Sequence, residues 1–393
     1  MKILVIAPTP FFYDRGCHVR IFEQAKFLSE HGHEVKIVTY HIGSDVMGLS
    51  VIRTPNFFWY QKMEPGPSWH KIYLDFFLLF RSLQTARAFR PDIIHAHAHE
   101  GALIAFPVRS IFGGAVVLDS QGSLTDQLVS MGHVHPKSLS FRILFGLERF
   151  IYRLSNAIIV SNQNNQSVLA LQFGLDPSKI SLIPDGIRTE MLRVDNAAVQ
   201  ELRQRYGILE DKKVIVYLGT LSVLEGTDKL LNLVAGLRVL RNDFILLLMG
   251  YPHADAYRRM ADSLGIAECV VVTGRVDYEC IYNYLALGDV AVSLKADTSE
   301  GNGKLFNYAA AGLPVICYDH ASNRSILGED AFYLDKSASL PAQARLVSGV
   351  LDAEPKKIIE MTERQKKNIG SRYSWDLIGD SLVSVYLRFL AKK

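Results

Sequence analysis

The chain alternates short β-rich apolar runs with stretches of helical apolar spacing, and it does so twice over its 393 residues. In the first half, strands are expected at Ile3–Ala7, Glu34–Tyr40, Leu49–Arg53, Asp92–Ala96, Ala115–Asp119, Ala157–Val160 and Ile180–Ile183. Helices are expected between them at Val19–His31, Ile72–Phe89, Glu100–Phe112, Ser138–Leu154 and Gln163–Phe173. The grammar restarts at Lys213–Leu218. Further strands follow at Phe244–Met249, Cys269–Thr273, Val290–Leu294 and Val315–Tyr318. Helices are expected at Asp228–Leu240 with Thr227 as cap, Ala254–Ser263, Tyr278–Leu287 with Asp277 as cap, and Lys304–Ala311. The tail reads as helices at Ala342–Leu351, Pro355–Ile369 and Trp375–Leu390.

Buried strands alternating with helices imply parallel sheets covered on both faces. Two such runs imply an α/β chain of two doubly wound domains. The charged stretch Asp185–Lys212, poor in strand pattern, marks the boundary. We expect domains over residues 1–188 and 189–372, and a helix within 373–393 that packs back toward the first. With 49% hydrophobic and 21% charged residues the chain folds without staples. A net charge of +3, from 43 basic and 40 acidic residues, excludes a strongly basic nucleic-acid binder. Cys17, Cys269, Cys280 and Cys317 are widely spaced, which argues against a zinc framework and for a reducing, cytoplasmic compartment. The opening MKILVIAPTPFF reads as a buried strand rather than a signal peptide, and no apolar run reaches a membrane span.

In doubly wound sheets ligands bind beyond the carboxyl ends of the strands. After the first strand, Arg15 and Gly16 precede a helix and suit an anion, without the G-x-G-x-x-G dinucleotide fingerprint. His95, His97 and His99 invite a metal reading, but no carboxylate or cysteine at ligand spacing supports it. We read them as a strand end with cleft-lining histidines, where His97 or His99 can bind a substrate hydroxyl. Ser120-Gln121-Gly122-Ser123 suits either a cleft or a plain turn. Gly219-Thr220 opens a glycine-flanked loop that suits phosphate. The densest polar constellation follows Leu294: Ser299, Glu300, Gly301, Asn302, Gly303, Lys304, Leu305 and Asn307. Its glycines can present N–H groups to a diphosphate, Lys304 adds charge, and Glu300 and Asn307 can bind vicinal hydroxyls.

These motifs, in this order, resemble the retaining glycosyltransferases of family 4, which have the GT-B fold. The likeness rests on GHEVKIVT (32–39), RPDIIHAH (90–97), AIIVSN (157–162), ISLIPDGI (180–187), YLGTLSVLEGTDKLL (217–231), LFNYAAAGLPVI (305–316) and YSW (373–375). The resemblance implies a GT-B fold of two Rossmann-like domains facing across a cleft. It also implies transfer of a sugar from a nucleotide diphosphate donor to an acceptor hydroxyl, with retained anomeric configuration. The first domain would bind the acceptor, a glycan, glycolipid or other glycoconjugate precursor, and the second the donor. Gly16, Gly301 and Gly303 would then lie near the phosphates and transferred sugar, and Arg275 and Val276 beside the base.

Four positions depart from the family pattern. Thr220 and Glu225 stand where Arg and Lys are frequent, Asn307 stands for the ribose carboxylate, and Gln121 lies near a frequent active-site histidine. Ser299 aligns with the first carboxylate of that motif, with Glu300 one residue out of register. Loss of two positive charges beside a diphosphate requires replacements, for which Lys304 and Arg15 are the candidates. Catalysis would be electrostatic, with Glu300 and Gln121 positioning the sugar, no metal or cofactor, and no evident general base. Phe57–Tyr60, Trp69 and the apolar run 73–80, with Lys62, Lys71, Arg81 and Arg87, read as core or interface, or as a peripheral membrane surface for a lipid-linked acceptor. Two alternatives stand beside the transferase: a non-catalytic binder of sugar nucleotide or partner enzyme, and a nucleotide-sugar epimerase, which would need cleft carboxylates.

Overall fold

A computed structural model describes residues 1–13, 16–62, 68–130, 132–296 and 301–390. Arg15, Ser299 and Glu300 lie outside the described residues. In chain order the first half runs β1 (Lys2–Ala7), α1 (Gly16–Glu30), β2 (Glu34–Thr39), β3 (Ser50–Arg53), α2 (His70–Phe89), β4 (Ile93–His97), α3 (Ala98–Phe112) and β5 (Ala115–Ser120). It continues with α4 (Leu124–Ser130), α5 (Leu139–Leu154), β6 (Ala157–Val160), α6 (Gln163–Leu171) and β7 (Ile180–Leu182). The seven strands form one parallel sheet in the order β3-β2-β1-β4-β5-β6-β7.

After α7 (Asn196–Arg205) a second sheet begins with β8 (Lys213–Leu218). It is built through α8 (Thr227–Arg238), β9 (Phe244–Met249), α9 (Ala254–Ser263), β10 (Val270–Gly274), α10 (Ile281–Leu285) and β11 (Val290–Ser293). Then come α11 (Lys304–Ala310), β12 (Val315–Tyr318), α12 (Ala321–Leu327) and β13 (Phe332–Leu334). These six strands are also parallel, in the order β10-β9-β8-β11-β12-β13. The chain closes with α13 (Leu340–Leu351), α14 (Pro355–Arg372) and α15 (Trp375–Leu390).

This is the GT-B architecture. Central strands such as β4 and β9 are buried along their whole length, and β9 reads accordingly as an unbroken apolar run. The strand order reverses between β1 and β4 in the first sheet and between β8 and β11 in the second. Each reversal opens a crevice where diverging loops leave room for a ligand. The chain passes from the first sheet to the second near Ile187 and returns at Ser374. The two passages touch there: Ile187 N–H donates to Tyr373 O at 2.8 Å, and Trp375 N–H donates to Ile187 O at 3.0 Å. α15 then packs on α1 and β5 of the first sheet.

Several elements differ from their sequence reading. α4, α7, α12 and β13 were not expected. They are short or, like α7, lack an apolar stripe, so packing rather than periodicity stabilises them. Thr227 does not cap α8. Gly226 takes the cap position in the left-handed conformation, and the Thr227 hydroxyl instead accepts from Ser222 N–H at 3.2 Å.

Candidate active site

The crevice of the second sheet lies between the loops that follow β8 and β11. The first loop brings Glu225 and the second brings Lys295. Lys304 comes from the start of α11. Glu225 Oε1 stands 3.0 Å from Lys295 Nζ, and Oε2 stands 2.6 Å from Lys304 Nζ. Lys304 also donates to the Tyr217 hydroxyl at 3.2 Å and lies 4.5 Å from the centre of that ring. A methyl group on Gly219 would stand 3.1 Å from Lys304 Nζ, so the bare backbone there lets the ammonium lie across the strand end. Lys295 reaches the Gly301 carbonyl at 3.4 Å.

The Lys295 and Lys304 side chains are 7% and 9% exposed, and that of Glu225 is 18% exposed. Burial alone would raise the Glu225 pKa; the Lys304 and Lys295 charges outweigh it and hold the carboxylate at about 2. Two lysines thus share one carboxylate in a largely desolvated crevice, where buried charges persist only when paired.

The remaining donor-side residues occupy varied places. Asn302 is buried and bonded to Ser293 and Asn323, and Leu305 is core, with its N–H given to Asn302 O at 3.0 Å. Neither the Asn302 nor the Leu305 side chain faces the crevice, which departs from their sequence reading. Asn307 Oδ1 accepts from the Tyr282 hydroxyl at 3.1 Å, so this side chain is already engaged. Thr220 offers its carbonyl to the Tyr217 hydroxyl at 2.8 Å. Val276 is buried, and exposed Arg275 stands 5.6 Å from the Tyr13 ring of the first half, spanning the cleft. Gly16 begins α1 on the opposite side, exposed and with φ of +33°.

In the first sheet the histidines are not on the cleft surface. His97 is 2% exposed, stacked on His95 with centroids 4.4 Å apart. Asp119, at the end of β5, comes within 3.6 Å of His97 Nδ1, a carboxylate that sequence spacing did not bring near. Burial, with the nearby Arg20 charge, lowers the His97 pKa to about 3 and also lowers that of His95, so both rings are neutral at pH 7. His95 Nδ1 lies 2.6 Å from the Tyr386 hydroxyl of α15. His95, His97 and Asp119 are close enough to share a metal ion. Asp119 Oδ2, however, already accepts from Arg20 Nε at 2.8 Å and Gln24 Nε2 at 3.0 Å. A fixed guanidinium beside the carboxylate opposes a cation there.

His99 belongs to a different cluster. Its Nε2 lies 3.0 Å from the Tyr152 hydroxyl and 3.2 Å from Glu148 Oε1. Buried Glu148 also accepts from the N–H groups of Leu124 and Thr125, both at 2.9 Å, and so closes the start of α4. Burial would raise the Glu148 pKa, but His99 and Thr125 bring it down to about 2. His99 is therefore a scaffold residue rather than a cleft-lining one. Gln121, half-buried after β5, keeps its amide nitrogen shielded from solvent and without a hydrogen bond among the described residues.

Sequence reasoning placed Lys295 in the constellation after Leu294 but gave no role to it, nor to Arg20, Asp119 or Asp185. Lys295 and Asp185 each directly follow a strand-end segment, a positional signal that was available. It also read Glu225 only as a lost charge. Asp185, a quarter exposed, faces Gly301 and Gly303.

Two family models match this chain, Glycosyltransferase Family 4 over residues 15–191 and Glycosyl transferases group 1 over residues 198–370. The sulfoquinovosyl transferase SQD2 of Arabidopsis thaliana is 23% identical over 388 residues, which cover 95% of this chain and 70% of that protein. A GDP-mannose-dependent α-(1-6)-phosphatidylinositol monomannoside mannosyltransferase of Mycobacterium tuberculosis is 28% identical over 230 residues, covering 55% of this chain and 58% of that one. Among solved structures, sucrose-phosphate synthase from Thermosynechococcus elongatus superposes with a TM-score of 0.82 at 14% identity over all of both chains. Anabaena HepE in complex with UDP-glucose gives 0.76 at 14% identity, again over all of both chains.

Proposed function

Because the chain belongs to the family 4-like glycosyltransferases of the GT-B fold, we propose that it transfers a sugar, with retention, from a nucleotide diphosphate sugar to an acceptor hydroxyl. The observation that carries this reading is the Lys295–Glu225–Lys304 cluster at the chain reversal of the second sheet. Its two ammonium groups come from the strand-end loops where such a sheet takes its ligand, and they would supply the two charges that Thr220 and Glu225 lack. As the sugar–phosphate bond breaks, negative charge grows on the leaving diphosphate. The two ammonium groups, already oriented by Glu225 and Tyr217, meet that charge without reorganising. The mechanism is read as metal-free, with lysines in the place of a divalent cation. Arg275 and Val276 would flank the base, Gln121 and Glu300 the transferred sugar, and Arg15 and Gly16 the facing wall. The alternatives, an epimerase and a non-catalytic binder, would show no sugar transfer in the test that follows.

The test is turnover of UDP-, GDP-, ADP- and CDP-sugars by the wild type and by Lys295→Ala and Lys304→Ala. One charge-assisted hydrogen bond contributes about 1.5–3 kcal/mol, so each substitution should lower kcat/KM for the donor about 10- to 100-fold. Wild-type values in both variants would remove the phosphate role.

A membrane-associated, lipid-linked acceptor at a cytoplasmic face is supported by the outer face of the first half. On α5, Leu139, Ile143, Leu147 and Phe150 all point to solvent at helical spacing, as do Ile72, Phe76 and Phe80 on α2. α3 packs against both helices and adds exposed Leu103 and Phe106. The exposed charges of α5 are Arg142, Arg149 and Arg153, while its one acid, Glu148, is buried. Apolar stripes flanked by arginines suit the interface of an anionic bilayer. No helix among the described residues is long and apolar enough to cross a membrane.

A further inference from the structure

Asp185 follows β7, where the chain begins its passage between the two halves. Its Oδ1 accepts from Arg20 Nη1 at 2.9 Å. Arg20 is itself locked, giving Nε to Asp119 at 2.8 Å and Nη2 to Ile183 O at 2.8 Å. One guanidinium therefore serves two carboxylates. The inner one, Asp119, is 0% exposed and the outer one, Asp185, is 25% exposed. The neutral histidines beside Asp119 add no charge. Arg20 with its two carboxylates carries one excess negative charge.

The second oxygen of Asp185 points across the cleft. A methyl group added to Gly301 would stand 3.4 Å from it, and one added to Gly303 would stand 3.1 Å from it. Ser161 Oγ shares this contact, at 3.1 Å from the same methyl position on Gly301. A transfer site needs two complementary features: cations for the departing diphosphate, and a hydrogen-bond acceptor that turns the attacking hydroxyl toward the sugar. The structure supplies the first from the second sheet and the second from the first sheet.

We propose that Asp185 Oδ2 accepts a hydrogen bond from the attacking acceptor hydroxyl, with Arg20 as the positioning residue that fixes the carboxylate. This rests on the transferase reading above and names a residue that sequence analysis passed over. The ligand class is an alcohol or polyol hydroxyl, held from the acceptor side.

The experiment measures how transferred sugar divides between an alcohol and water. UDP-glucose and GDP-mannose serve as donor probes, with glycerol and octyl glucoside as acceptor probes. If the wild type turns over neither donor, the transferase reading fails for them and this proposal fails with it. If it does, Asp185→Asn should shift the division toward water about 10- to 100-fold, the loss expected for one charge-assisted hydrogen bond, with donor KM within about twofold of wild type. Asn keeps a carbonyl for Arg20; if that variant melts early, Asp185→Ser, measured below its own melting temperature, must show the same shift. An unchanged division overturns the proposal while leaving the transferase reading intact. So does a rise in donor KM with hydrolysis and transfer falling in parallel, which would make Asp185 a donor-side or domain-closing contact.

Discussion

At the residue scale, burial and charge decide which groups carry protons. His97 is neutral in the fold down to about pH 3, whereas an ordinary histidine takes up a proton near 6.5. Between those values the unfolded chain binds a proton that the fold refuses, so stability falls as pH falls, by about 1.4 kcal/mol per pH unit at most for this group. Glu225 and Glu148, held at about 2, add a second loss: their contribution is complete above about pH 4.5 and disappears as pH drops toward 2. Asp75, raised to about 6 by burial, works the other way between about pH 6 and 4, so the His97 contribution is read from the difference between variant and wild type. His97→Asn should flatten the slope between pH 6.5 and 4.5, and equal slopes for variant and wild type would show that His97 is not the group responsible. The residue scale is also where the sequence was least legible. Lys295, Glu225 and Lys304 are 9 to 79 positions apart in pairs, and Arg20 and Asp185 are 165 apart. No local spacing announces such pairs; they meet because different strand ends converge at one edge of a sheet.

At the element scale, long periodic segments were legible and short ones were not. β9 and α2 follow directly from apolar patterning, whereas α12 and β13 owe their existence to neighbours. α5 is a third case. Its helix was expected, but its stripe of outward apolar residues was not, because sequence periodicity cannot tell which face of a helix turns inward. Here the inward face is narrow, with Glu148, Ile151 and Tyr152 buried, and the wider apolar face is left to solvent. This face should bind vesicles of phosphatidylglycerol and phosphatidylcholine and release them as salt rises, read by co-sedimentation. The double substitution Ile143→Glu and Leu147→Glu should weaken that binding about 10-fold or more while leaving the melting temperature within a few degrees. Equal sedimentation of variant and wild type, or a concentration-dependent dimer that disappears in the variant, would assign the face to another partner.

At the scale of the whole molecule, one chain crosses between the halves twice at a single place and ends on the half where it began. α15 is fixed to α1 by a close approach at Gly379, where a methyl group would stand 2.3 Å from the Phe27 ring. Gly379→Ala should displace the helix, cost about 1–3 kcal/mol of stability and lower the melting temperature by several degrees; a variant as stable as wild type would show that the contact can relax. The two-sheet GT-B plan was readable because each half repeats the same strand–helix grammar. The contacts across the cleft were not, since they depend on how the two sheets face each other. The central claim is that the lysine cluster holds a nucleoside diphosphate. Calorimetric titration of UDP, GDP, ADP and CDP into the wild type and the Lys295→Ala/Lys304→Ala double variant tests it most directly. The account predicts saturable binding of one nucleotide by the wild type and an affinity at least about 100-fold lower in the double variant. A wild type that binds none of the four, or a double variant that binds as tightly as the wild type, would contradict it.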